Sequence, residues 1–254
     1  MLDWYNDYYR SIRTSRANAR FCERVYGRDL GQHGFMDEQQ LRALLDALAL
    51  GPGELALDLG CGDGRIAELL SDETGSDLVG VDNSRPAIES ATIRTRPKRG
   101  RLSFSVMDLG QLGFASGVFD SAIAVDSLYF TPLGDTIGEI GRALRPGGRL
   151  ATFYSYGLTA EVEVDRTLES EWTPLALTLA ECGFEFYSRD FTEADYRLMQ
   201  LRITVLAELE PEFQSEGNLF IYENRIGEAK GISRAIESGR HRRYLYVASR
   251  SHGD

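Results

Sequence analysis

The sequence predicts one large α/β domain built on a mostly parallel sheet with helices on both faces, and three observations carry that expectation. The first is the stretch Leu55-Ala56-Leu57-Asp58-Leu59-Gly60-Cys61-Gly62-Asp63-Gly64. It is an apolar run that closes in alternate glycines and then takes up helical spacing with Ile66, Leu69 and Leu70, so it reads as strand, tight turn, helix. The second is recurrence. Short runs at Val79–Asp82, Phe104–Leu109, Phe119–Asp126 and Arg149–Tyr154 alternate with amphipathic stretches, the strand–helix alternation that builds parallel sheets buried on both faces. The third is length: 254 residues suffice for one sizeable core with chain left over for a cap. The expected organisation is a helical cap over residues 1–35 and a main domain over 36–254, with cap insertions near 156–173 and 192–238.

Composition narrows the partners. A formal net charge of −11 opposes a surface made for phosphate backbones, so nucleic acid is excluded as the main partner and a small molecule is expected. No apolar stretch approaches a membrane span, and the start MLDWYNDYYR is polar and aromatic rather than signal-like, so no membrane partner is expected and a cytoplasmic protein is. A homodimer is compatible with this. Cys22, Cys61 and Cys182 lack metal-ligand spacing and read as reduced thiols. No metal site is evident.

The glycine-rich turn defines the chemistry. Glycine tolerates positive φ and lets a ligand approach the main chain, and the helix start offers free N–H groups. A dinucleotide fingerprint G-x-G-x-x-G needs its third glycine where this chain has Arg65, because a pyrophosphate must sit on the helix N-terminus there. Asp58 at the strand end would repel that pyrophosphate and would instead favour a cofactor with a positive end.

Asp58-Leu59-Gly60-Cys61-Gly62-Asp63-Gly64 resembles motif I of the class I S-adenosylmethionine-dependent methyltransferases, and Val79-Gly80-Val81-Asp82, Phe104-Ser105-Val106-Met107-Asp108-Leu109, Phe119 to Asp126 and Leu144 to Leu150 follow in that family's order. The resemblance implies a Rossmann-like sheet of order 3-2-1-4-5-7-6 with the last strand antiparallel. It implies S-adenosylmethionine as cofactor, S-adenosylhomocysteine as product, and transfer of a methyl group to an N, O or C atom of a small acceptor. Asp82 would hold the ribose hydroxyls and Asp108 the adenine amino group. The full implied cofactor set is Asp58, Gly60, Cys61, Gly62, Asp82, Asn83, Met107, Asp108, Leu109 and Val125. The run Ile236 to Ala248, with Arg189-Asp190-Phe191-Thr192 before it, is distantly similar to the sarcosine and dimethylglycine N-methylating group. Rival readings are a binding protein that holds the cofactor without transfer and a NAD(P)-dependent oxidoreductase, the latter opposed by Arg65 and Asp58.

Taken in order, residues 1–35 carry Trp4, Tyr5, Tyr8, Tyr9, Phe21, Tyr26 and Phe35 on an expected helical extension. His33, one of three histidines, stands between glycines as a candidate general base. A helix from Met36, with Leu41, Leu44, Leu45 and Leu48 on one face, stops at Gly51-Pro52-Gly53. Ser84 caps the helix after the second strand. Arg94, Arg96, Lys98, Arg99 and Arg101 read as a solvated loop. Asp126, Ser127 and Tyr129 follow the fourth strand on the acceptor side, with Asp126 and Tyr129 as further catalytic candidates; alternatively, Asp126 or Thr131 caps the next helix. Tyr5, Tyr8, Tyr9, Tyr129, Tyr154 and Trp172 could attract a sulfonium or ammonium through their faces. Acidic residues Glu161 to Glu171 suggest a lid. Thr192-Glu193-Ala194-Asp195 has capping-box form, opening a helix that ends before Pro211. A helix within 219–238 and a closing strand at 243–248 complete the chain.

Overall fold

The computed structural model describes residues 2–157 and 168–250. Seven strands form one sheet: β1 (Leu55–Leu59), β2 (Asp77–Asp82), β3 (Leu102–Val106), β4 (Phe119–Val125), β5 (Leu144–Tyr156), β6 (Phe184–Asp190) and β7 (Arg242–Arg250). Their order is 3-2-1-4-5-7-6. Strands β1 to β5 are parallel, and β7 runs antiparallel to both β5 and β6. The order, the directions and the strand limits match the sequence expectation closely. β5 starts earlier than expected because Pro146-Gly147-Gly148 bends inside it, with the register shifting opposite Phe119 and Ser121.

The central helices cover the sheet on both faces. α3 (Glu38–Leu48), α4 (Arg65–Thr74), α5 (Arg85–Arg94), α6 (Leu133–Ala143) and α7 (Pro174–Glu181) bury Leu44, Leu48 and Leu70 on one side and Ile137, Ile140 and Leu179 on the other. α3 begins at the Asp37 cap, whose carboxylate accepts the Gln40 N–H at 2.8 Å, and ends before the Gly51-Pro52-Gly53 stop, at Ala49 in the left-handed region. Ser84 caps α5 as expected, although its hydroxyl also donates to Asn6 Oδ1 at 2.9 Å.

A second layer is entirely helical. α1 (Leu2–Ser11) and α2 (Arg16–Tyr26) pack with α8 (Thr192–Ser215) and α9 (Leu219–Glu237) around Tyr8, Phe21, Leu206, Phe213 and Ile221. Glu216 fastens the start of α2, accepting from Arg16 N at 2.9 Å, Ala17 N at 3.0 Å and Ser15 Oγ at 2.6 Å. The first two helices and the late pair α8 and α9 therefore build one helical layer.

Four local expectations are corrected. α8 does not stop before Pro211 but runs through it to Ser215; burial of Leu209 and Phe213 on either side of the proline offsets the penalty of a proline inside a helix, roughly 3 kcal/mol for the lost backbone bond and the ring's clash together. Thr192 and Asp195 form no capping box: Thr192 is already helical, its N–H is taken by Asp190 Oδ1 at 2.7 Å, and Asp195 turns inward to His241 Nε2 at 3.2 Å. The basic run after α5 is not simply solvated, because Arg94 and Lys98 pair with Glu68 at 2.9 and 2.8 Å, Lys98 also pairs with Asp72, and Arg101 reaches Asp72 at 3.2 Å. Neither Asp126 nor Thr131 caps α6, which starts after Pro132. The acidic lid expectation falls mostly on 158–167, outside the described residues; beyond it, Tyr244 and Tyr246 hydroxyls donate to Leu168 O and Ser170 O, both at 2.8 Å. Among the described residues no helix is long and apolar enough to cross a membrane.

Candidate active site

The turn after β1 is shaped by its glycines. Gly60 and Gly62 lie at φ +72° and +55°, where a side chain is strained. A Cβ on Gly60 would stand 2.4 Å from Ser127 Cβ, and one on Gly62 would stand 2.2 Å from Tyr9 Oη. The backbone so formed docks on β2: Gly60 and Cys61 N–H groups donate to Val81 O at 2.8 and 3.0 Å. Asp82 is fixed beside it, Oδ2 accepting from Gly62 N at 2.9 Å and Oδ1 from Ser84 N at 2.8 Å.

Two carboxylates therefore act on each other beside the turn, and among the described residues neither forms an ion pair. Burial pushes Asp58 up to about 7, with Asp82 adding to the rise, and burial also raises Asp82. Asp58 Oδ2 is buried with no hydrogen-bond partner. A ligand with a cationic end relieves both, and a pyrophosphate aggravates both. The donor set thus fits a positively charged nucleoside cofactor, with a Gly cradle for its backbone contacts and a held carboxylate for a diol.

A stability prediction follows from Asp58. An acid whose folded pKa is raised contributes fully below its unfolded value near 3.9 and loses that contribution as pH climbs through about 7. In the ligand-free protein, wild type should lose roughly 2–4 kcal/mol relative to Asp58→Asn between pH 4 and pH 8, at about 1.36 kcal/mol per pKa unit. Urea melts of both proteins at those pH values check it; parallel pH slopes would refute the assignment.

Above the turn opens a cavity of about 380 Å³, inside the range of roughly 300–1,000 Å³ used by small-molecule sites. From the expected cofactor set, Gly60, Cys61, Gly62, Asp82, Asn83, Asp108, Leu109 and Val125 line it. Asp58 and Met107 do not: Asp58 is buried behind the turn, and Met107 Sδ accepts the Gly113 N–H at 3.3 Å. The three catalytic candidates His33, Asp126 and Tyr129 also line the cavity, together with Ser127. Of the expected aromatics, Tyr5, Tyr9 and Tyr129 reach it. Tyr8 is engaged by Gly31 O at 3.2 Å and Arg225 at 2.7 Å, Tyr154 packs on Tyr129 with centroids 4.7 Å apart, and Trp172 lies at the surface.

Asp126 is the most heavily bonded side chain of the site. It sits at φ +54°, a strained setting for a non-glycine residue. Arg243, fully buried, grips it with two bonds: Nη1 to Oδ1 at 2.6 Å and Nη2 to Oδ2 at 3.0 Å. Phe35 N–H donates to Oδ2 at 2.8 Å and the Tyr129 hydroxyl to Oδ1 at 3.2 Å. Tyr129 in turn accepts from Ser155 N at 2.5 Å. Arg243 is itself held by Gln40 Oε1 and Ser155 Oγ, both at 3.0 Å. Asp126 thus ties the 33–36 loop to β4, β5 and β7.

His33 is not an exposed loop residue. Its Nε2 faces Asn224 Oδ1 at 2.8 Å and Glu228 Oε1 at 3.6 Å, both from α9, while Nδ1 lies 3.5 Å from the Tyr5 hydroxyl. Burial holds it below the usual histidine value, with Glu228 opposing. Sequence reasoning named Phe35 only among the aromatics of the N-terminal extension and gave no site role to Arg243, Glu228, Asn224 or Phe130. Only Asn224 and Glu228 offered a signal, their four-residue spacing on one helical face. Arg65 also lines the cavity, paired with Asp63 at 3.0 Å and Asp29 at 3.5 Å.

Comparison with known proteins agrees with this geometry. Residues 57–152 match the family model of the methyltransferase domain. The chain is 37% identical over 117 residues to the methyltransferase GfsG of Streptomyces halstedii, covering 45% of this chain and 42% of that protein. It is 31% identical over 148 residues to the 27-O-demethylrifamycin SV methyltransferase of Amycolatopsis mediterranei, covering 53% and 54%. The matched region thus spans about half the length of these relatives. A crystal structure from Galdieria sulphuraria, named for sarcosine and dimethylglycine methylation, superposes with a TM-score of 0.71 over 85% of each chain at 12% identity, a likeness of fold.

Proposed function

We propose that this chain, a member of the class I S-adenosylmethionine-dependent methyltransferases through residues 57–152, transfers a methyl group to a small-molecule acceptor held in the cavity. The observation that carries the reading is that one cavity is lined both by the glycine turn and Asp82 and by His33, Asp126, Tyr129 and Tyr5. Bound S-adenosylmethionine would supply a methyl group activated by a positively charged sulfur. Asp82 would hold the ribose hydroxyls, Asp108 the adenine amino group, and the Gly60–Gly62 backbone the rest of the nucleoside. Asp58 would favour the cationic end through its charge from behind the turn. Asp126, clamped by Arg243, would fix the acceptor wall, so that much of the rate comes from holding the reacting atoms in line. A small molecule rather than nucleic acid is supported by the net charge of −11.

The second reading, cofactor binding without transfer, shares the first half of the site, so one experiment must separate them. Calorimetry should show micromolar binding of S-adenosylmethionine and S-adenosylhomocysteine and none of NAD, and mass spectrometry on a metabolite pool should show products heavier by one methyl group. NAD binding alone would reject the family reading, and cofactor binding with no methylated product would favour the second one.

A further inference from the structure

We propose that the acceptor is an uncharged molecule with a hydroxyl on an apolar body, and that His33 removes the hydroxyl proton through Tyr5. This rests on the methyl-transfer reading above and specifies its acceptor.

The acceptor end of the cavity carries charges, and each is already compensated. Glu228 pairs with the fully buried Arg202 at 3.3 Å. Asp126 pairs with Arg243, and Arg65 with Asp63 and Asp29. A phosphate or carboxylate on the acceptor would find no uncommitted cation among the described lining residues, and an ammonium would find Asp126 and Glu228 already paired with buried arginines, while Asp82 is held by the Gly62 and Ser84 N–H groups and assigned to the ribose hydroxyls. Either ion would lose its hydration without return. Apolar side chains make up much of the remaining wall: Leu2, Leu30, Phe35, Met36 and Phe130 line it beside the Tyr5 ring, with Gln32 and Thr131 as its neutral polar members. Leu2 and Phe130 stay 42% and 48% exposed at the rim, with Phe130 edge-on to Tyr5 at 5.7 Å. Apolar side chains left open to solvent at the edge of a pocket fit a ligand whose apolar body extends past it.

The proton path is set by the tautomer of His33. Both groups facing Nε2, Asn224 Oδ1 and Glu228 Oε1, are acceptors, so Nε2 carries the hydrogen and Nδ1 keeps its lone pair. The Tyr5 hydroxyl, 3.5 Å from Nδ1, donates to that lone pair and presents its oxygen to the cavity. Catalytic hydrogen bonds of this length commonly tighten when substrate binds. The charged groups around the pair are Glu228 and Arg225 from α9, Arg202 from α8, and Asp126 and Asp82, which face Tyr5 from the sheet. Burial keeps the imidazole neutral near pH 7, and Glu228 is placed to balance the imidazolium. In the step itself the acceptor oxygen bonds to the methyl carbon as the carbon–sulfur bond breaks, and that electron pair stays on sulfur. The hydroxyl proton passes to Tyr5 Oη while the Tyr5 proton passes to His33 Nδ1, and the imidazolium then releases it to water. The products are a methyl ether, S-adenosylhomocysteine and one proton.

The test uses a matched set: 2-naphthylmethanol, 2-naphthylmethylammonium and 2-naphthylmethyl phosphate, titrated calorimetrically into the full chain saturated with S-adenosylhomocysteine. The alcohol should bind at least ten-fold tighter than either ion; tighter binding of the ammonium or the phosphate overturns the acceptor class. Nitrogen-15 NMR should show His33 protonated on Nε2 and not on Nδ1, and the opposite tautomer overturns the relay. With S-adenosylmethionine, mass spectrometry should detect the methyl ether of the alcohol, at a rate at least a hundred-fold lower in His33→Gln and in Tyr5→Phe, with the affinity for S-adenosylhomocysteine within two-fold of wild type in both. An unchanged rate in either variant, or no ether from wild type, overturns the proposal. Failure of wild type to bind S-adenosylhomocysteine at all would sink the methyl-transfer reading, whereas the other negative results leave that reading standing and remove only this one.

Discussion

Arg243→Met should lower the thermal unfolding midpoint by roughly 10 °C, because removing one partner of a buried ion pair costs about 3–5 kcal/mol and a domain of this size shifts roughly 2–4 °C per kcal/mol. The arginine is fully buried and Asp126 nearly so. Without the guanidinium the Asp126 carboxylate keeps only the Phe35 N–H and the Tyr129 hydroxyl, at 2.8 and 3.2 Å, in a backbone conformation that already carries strain. Arg243→Lys should rescue little, since a single ammonium cannot reproduce two parallel bonds to one carboxylate. The double variant Asp126→Asn with Arg243→Met should regain a substantial part, because the orphaned charge is gone. Differential scanning calorimetry of the four proteins decides it. A single variant that melts within 2 °C of wild type would mean that Asp126 does not depend on its partner.

That pair also shows where the sequence was silent. The strands, the acids at their ends and the glycine turn were legible because each is a local pattern: an apolar run of strand length, a fixed spacing of glycines, a carboxylate at a strand terminus; the sheet order came from the family resemblance those motifs carry. Arg243 is local to nothing. It stands in Arg242-Arg243-Tyr244-Leu245, which reads as the edge of a closing strand, and its partner lies 117 positions earlier in the chain. His33 was visible as a residue type, but not its clamp, since Asn224 and Glu228 arrive on a helix 191 and more residues away. The capping-box expectation for Thr192 and Asp195 failed for a related reason: a tertiary partner, His241, claimed the carboxylate that the local rule assigned to the helix start. Short-range rules place elements well; long-range pairing of charges decides which polar side chains face the cavity.

Gly60→Ala should weaken S-adenosylmethionine binding at least a hundred-fold, equivalent to about 2.8 kcal/mol at 1.4 kcal/mol per decade. Two separate penalties fall on this residue. The first is conformational, since φ is +72° and an alanine in that region costs roughly 1–2 kcal/mol. The second is steric: the new methyl group would lie 2.4 Å from Ser127 Cβ and 3.7 Å from its Cα, atoms too close to the main chain to swing away. Ser127 is further pinned by its hydroxyl, which donates to Leu59 O at 2.7 Å, so the turn and the start of the acceptor wall must separate. Two companions isolate the terms. Gly53→Ala, at φ +87° with no atom within 4 Å of the added carbon, bears the conformational penalty alone and far from the cavity, so it should lose stability and keep full affinity. Gly60→Ala combined with Ser127→Gly relieves the collision and keeps the strain, so it should recover part of the binding and not all. Calorimetric titration of the three proteins measures this, and near-normal affinity in Gly60→Ala would mean that the cofactor does not rest on this turn.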